Sequence, residues 1–153
     1  MKTMKNKFIF VAIVLSVILF FSFNALKYKI ENITEVKIAG QSIKVELALT
    51  PAEQARGLSG RLSLKESDGM LFVFPAQDKN QIHKFWMKDM NFPIDMIWLD
   101  KDKKVIYIKK DARPESYPNL FGPDVASQYV LEIVSGFADK NNLKIGDGVE
   151  LTR

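Results

Sequence analysis

Hydrophobic and polar positions divide the chain into two unlike parts. Residues 8–23, FIFVAIVLSVILFFSF, are apolar apart from Ser16 and Ser22. With Asn24, Ala25 and Leu26 the run reaches about the 20 residues that a bilayer-spanning helix needs. From Val36 onward the pattern changes to short alternations. Val36 and Ile38, then Ile43, Val45, Leu47 and Leu49, alternate with polar residues, the period-two sign of half-buried strands. Ala39–Ser42 makes the turn between them. Thr50, Pro51 and Glu53 form a helix start, with Thr50 as cap, Pro51 at the first helical position and Glu53 completing a capping box. Gly57 and Gly60 end that helix after about two turns.

A loop over 61–68 follows, and strands are predicted at 69–74, 82–88, 94–99 and 104–111. Asp100–Lys103 turns between the last two. Residues 112–126 hold Pro114, Pro118, Pro123 and Gly122 and read as a long flap. Strand 127–134 is apolar on both faces. Ser135 caps a second short helix, and Lys144–Gly148 turns into a last strand, Val149–Thr152. About eight strands and two short helices argue an all-β domain, a jelly-roll-like sandwich or a partly closed barrel. Residues 1–26 are an N-terminal membrane segment, 27–35 a polar tether and 36–153 the β-domain.

Charge orients the first part. Lys2, Lys5 and Lys7 precede the apolar run, and no acidic residue occurs before Glu31. Positive flanks stay cytoplasmic. The expectation is therefore a single-pass membrane protein with its N-terminus inside and its β-domain outside. A secreted form after signal cleavage is the alternative, although SFNALKYK offers no clean Ala-x-Ala site. With no cysteine in the chain, a lipoprotein, disulfides and thiolate chemistry are all excluded. With the three leading lysines set aside, 19 basic residues face 18 acidic ones, about +1 in all. That balance does not suit a nucleic-acid partner.

The ordered motifs Arg56-Gly57-Leu58, Gly69-Met70-Leu71-Phe72, Phe74, Phe85-Trp86-Met87, Pro93-Ile94-Asp95, Tyr129-Val130-Leu131-Glu132 and Gly146-Asp147 carry a resemblance. Over about residues 36–152 the chain resembles the domain of unknown function 192 family, also called the uncharacterised ACR family. The resemblance implies a small jelly-roll-like β-domain, often exported or anchored, and no established reaction. One departure is Met90, where the family usually has Thr.

Candidate chemistry lies in a few residues. Asp95 shares a face with Ile97 and Leu99, and Glu132 shares one with Val130 and Val134. An acid on an apolar face must be paired or hydrogen-bonded. Asp95 could cap the turn at 91–93, meet a buried Arg or bind a ligand. Arg56 is the cation expected to pair with Asp95 or Glu132, with a plain surface position as the alternative and Arg61 as a weaker case. Trp86, between Lys84 and Lys88 on its face, could be a glycan or partner platform, or ordinary packing.

His83 is the single histidine. A Cu(I) site using it with Met70, Met87, Met90 and Met96 is thinkable. However, His83 and Met87 stand roughly 13 Å apart along a strand, so no metal and no cofactor are expected. No Gly-x-Ser-x-Gly elbow or phosphate loop occurs.

The reading is a membrane-anchored, extracytoplasmic, non-enzymatic binding module. Its partner would be a small ligand, a glycan or an envelope protein. Its site would lie beneath the 112–126 flap near Arg56, Trp86, Asp95 and Glu132. One alternative is a hydrolase-like enzyme with Asp95 and Glu132 as acid and base. Another is a structural or assembly factor at the envelope.

Overall fold

The structure, a computed structural model, describes residues 2–75 and 80–152, leaving aside the side chains of 1–8, 10 and 25–31. It comprises two units, Met1–Ile33 and Thr34–Arg153. The first is helix α1 (Lys2–Glu31). Its described large apolar side chains, including Val11, Leu15, Leu19 and Phe23, are exposed. Two of its polar groups turn back onto the helix: Ser16 Oγ donates to the Ile13 carbonyl at 2.7 Å and Asn24 Nδ2 to the Phe20 carbonyl at 2.8 Å. Among the described residues no helix is long and apolar enough to cross a membrane. The basic flank at Lys2, Lys5 and Lys7 and the tether side chains of 27–31 lie outside the described side chains.

The second unit is a half-barrel built from one seven-stranded sheet in the order β5-β4-β6-β3-β2-β1-β7. Its strands are β1 (Glu35–Ile38), β2 (Gln41–Ala48), β3 (Asp68–Val73), β4 (Ile94–Leu99), β5 (Val105–Ala112), β6 (Tyr129–Val134) and β7 (Val149–Thr152). Neighbours pair antiparallel except β2 with β3. Of the two expected architectures, the sandwich of two sheets gives way to one curved sheet, a half-barrel. Its edge strands meet at one corner. Lys104 bridges Gly148, Val105 N donates to the Asp147 carbonyl at 2.9 Å, and Val149 N donates to the Lys103 carbonyl at 3.0 Å.

Both predicted short helices are present, as α2 (Pro51–Arg56) and α3 (Phe137–Lys140). The α2 start has the full capping box, Thr50 Oγ1 accepting from Glu53 N and the Glu53 carboxylate accepting from Thr50 N. The predicted strand at 82–88 does not form. Only Phe85 makes a bridge, to Phe121 in the flap. The reason is side-chain competition for the backbone: the His83 carbonyl accepts from the buried Trp98 indole N–H at 2.8 Å instead of joining a ladder. Gly122 permits this closeness, because a Cβ there would lie 2.7 Å from the His83 carbonyl oxygen. The flap carries a 3-10 turn at Pro114–Ser116. Lys84 Nζ ties it down by donating to Gly122 O and Asp124 Oδ1, each at 2.8 Å.

The central strands β4 and β6 are covered on both faces, and all six residues of β4 are buried. One of these faces holds a cluster containing Met70, Phe72, Met87, Met90, Met96, Trp98 and Val130.

Candidate functional site

Asp95 is fully buried on β4, yet its carboxylate is saturated by backbone. Oδ1 accepts from Asp111 N at 2.9 Å and Gly136 N at 3.2 Å, and Oδ2 accepts from Ala138 N at 2.8 Å. Gly136, rather than the expected Ser135, is the cap position of α3 and has no side chain to offer. Asp95 therefore supplies, from a neighbouring strand, the acceptor that a capping Ser or Asp would supply. It does not cap the turn at 91–93 and does not meet an arginine. Asp111, which receives the Ser135 hydroxyl at 2.8 Å, extends the same fastening. Its carboxyl is held below the usual range by that hydroxyl and by Arg113.

Glu132 lies on the other face of the sheet. The register sets Asp95 opposite Ile133, whereas Glu132 stands opposite both Met96 of β4 and Met70 of β3. The two acids expected as a pair are thus separated by the sheet itself. Glu132 is 5% exposed, and its Oε2 is buried without a hydrogen bond. Burial pushes its carboxyl up to about 8, with the Arg61 charge pulling weakly the other way. Gly57 covers it. A Cβ on Gly57, whose φ is +51°, would sit 3.7 Å from Glu132 Oε2 and 3.2 Å from the Phe72 ring. Only glycine fits both that backbone conformation and that approach.

Arg61, rather than Arg56, is the cation near Glu132. Arg56 is exposed on α2, and among the described residues no ion pair joins it to Asp95 or Glu132. Arg61 makes a bidentate pair with Glu46 of β2, at 2.5 and 2.7 Å. That pair lowers the Glu46 carboxyl and raises the Arg61 guanidinium. The turn between the two arginines is pinned to the next loop. Ser59 Oγ donates to the Lys88 carbonyl, Gly60 N to the Asp89 carbonyl and Asn91 Nδ2 to the Arg61 carbonyl, all between 2.8 and 2.9 Å.

Trp86 is 48% exposed and meets Tyr117 of the flap, itself 46% exposed, edge-on with ring centroids 5.9 Å apart. Lys88 Nζ lies 6.0 Å from the Trp86 ring centroid. Tyr117 was not foreseen from the sequence, since a tyrosine inside a proline-rich loop carries no periodicity. His83 stacks on Phe74 at 3.4 Å between centroids. Among the described residues no group of three or more His, Asp or Glu could hold a metal ion. A cleft of about 470 Å3 opens between the start of β2 and α3, lined by Gln41, Glu66, Ser135 and Lys140 among others. None of the four expected site residues lines it. Asp95 and Glu132, on opposite faces of the sheet, therefore do not share one site.

Residues 34–151 match the DUF192 family, described as uncharacterized ACR. A UPF0127 protein of Thermococcus kodakarensis (strain ATCC BAA-918 / JCM 12380 / KOD1) is 31% identical over 122 residues, covering 78% of this chain and 72% of its own. A crystal structure of a protein of unknown function from Novosphingobium aromaticivorans DSM 12444 superposes with a TM-score of 0.70 at 33% identity, covering 77% of this chain and 84% of that one. A second, from Sinorhizobium meliloti 1021 and described as a proposed transcription regulator, gives 0.68 at 28% identity, covering 76% and 90%.

Proposed function

The chain belongs to the DUF192 family of uncharacterised ACR proteins, and from that premise we propose that it is a non-enzymatic binding module held at the outer face of the cell membrane. Recognition is assigned to the Trp86–Tyr117 face, with an acidic glycan of the envelope as the ligand class. The observation that carries this reading is the pair of half-exposed rings meeting edge-on beside Lys88. Aromatic rings offer a flat apolar surface to the C–H face of a sugar, with little entropy to lose. The lysine adds a charge that favours a carboxylated or phosphorylated glycan.

Tryptophan fluorescence tests the site cleanly, because Trp98 is fully buried and reports little of the solvent. Uronic-acid oligosaccharides are expected to shift or quench Trp86 emission in a saturable way, and Trp86→Phe is expected to abolish the response. No response to acidic or neutral oligosaccharides would overturn the glycan assignment.

The anchor reading is supported by the exposed apolar side chains of α1 and by the inward turn of Ser16 and Asn24. The full chain is expected to stay with membranes through alkaline carbonate extraction. Externally added protease is expected to cut its β-domain in spheroplasts. Release into the carbonate supernatant would remove the anchor.

A further inference from the structure

We propose that Met70, Glu132 and Met96 form a binding site for a soft monovalent cation, Cu(I) in chemical class. Three observations converge on it. The strand register places Met70 and Met96 directly across from Glu132, one on each side and all on one face. Side chains so paired have their Cβ atoms about 5 Å apart, close enough for two thioethers and a carboxylate to converge on one ion. Glu132 Oε2 is buried and accepts no hydrogen bond, so the core holds a carboxylate oxygen with nothing assigned to it. Unmet buried polar atoms of this kind are uncommon and call for a reason. Finally, of the six methionines in the chain, the four beyond residue 33 are Met70, Met87, Met90 and Met96, and all four belong to one buried cluster.

Donor chemistry selects the ion. Thioethers favour Cu(I) and disfavour Ca2+ and Mg2+, which require several oxygens. Charge selects it further. A monovalent cation that takes the place of the proton on the buried acid, releasing it to solvent, leaves the site neutral overall, whereas a divalent ion would leave a net buried charge. The neighbouring Arg61 is already balanced by Glu46 and adds little repulsion. Met87 and Met90, in the same cluster, are the available additional sulfurs. Methionine is otherwise a common core filler, so the test must separate packing from ligation.

The experiment uses the full chain in detergent micelles, titrated anaerobically with Cu(I) against a coloured bidentate chelator. Ag(I), a redox-inert substitute, is followed by methionine-methyl NMR. One equivalent of Cu(I) is expected to transfer from the chelator. Ag(I) is expected to move the Met70 and Met96 methyl signals. M70L/M96L nearly conserves core volume, and together with E132Q it is expected to weaken Cu(I) binding by more than the roughly 10–100-fold that outer-shell partners cost. The methyl shifts in the unsubstituted chain keep the test decisive even if a variant folds poorly. No transfer from the chelator, unmoved Met70 and Met96 methyls, or undiminished binding in either variant would overturn the assignment.

Discussion

At the scale of single residues, Glu132 is where stability and chemistry meet. Its carboxyl rises from about 4.5 to about 8 because folding strips it of water. The folded state therefore favours the protonated acid. That contribution is whole below about 4.5 and is lost as pH rises through about 8. Chemical denaturation of the wild type should show stability falling between pH 5 and pH 8 by up to about 1.4 kcal/mol per unit. Glu132→Gln should remove most of that slope and be the more stable of the two at pH 8. An unchanged slope would assign the pH dependence to other groups. The sequence made Glu132 visible as an acid between valines on a doubly apolar strand. It could not choose Arg61 over Arg56 as the nearby cation. Both lie within five residues of Gly57, and only the path of that turn decides which charge is felt by the carboxylate.

At the scale of elements, α3 depends on a residue more than forty positions away. Asp95 serves three backbone N–H groups of β5 and the α3 start, and Gly136 at the cap offers no substitute. Asp95→Ala is expected to cost about 3 kcal/mol or more, since buried donors lose a charged acceptor. Hydrogen exchange should localise the loss to the amides of Asp111, Gly136 and Ala138. Asp95→Asn, which retains one acceptor oxygen, should fall between the two. Uniform loss of protection across the sheet would contradict this local fastening. Elements written in local pattern were legible beforehand: the capping box of α2, the alternation of β2, and the buried runs of β4 and β6. The segment 82–88 was not. Its residues alternate as a strand would, but the Trp98 indole takes the carbonyl that a ladder would need.

At the scale of the whole molecule, the unresolved choice between sandwich and barrel falls to the corner where β5 meets β7. Strand pattern alone is the same for both architectures. The backbone bonds of residues 103–105 to 146–149 join the two edges of the sheet there. Where the edges are joined they offer no template to another chain. The amides of Val105 and Val149 are therefore expected to exchange slowly, as central-strand amides do, although both strands are sheet edges. Fast exchange at both would mean that the corner opens in solution.

Sequence by itself determined the family, the strand-rich character of residues 34–151, both short helices and the absence of any disulfide. These follow from short-range periodicity, capping chemistry and composition, which are written locally. Tertiary structure alone decided that Asp95 and Glu132 face opposite ways, that Tyr117 joins Trp86, and that Met70 and Met96 flank one buried acid. Each of these depends on strand register and on loop paths between residues distant in the chain. A one-residue shift in register would carry a side chain to the other face of the sheet.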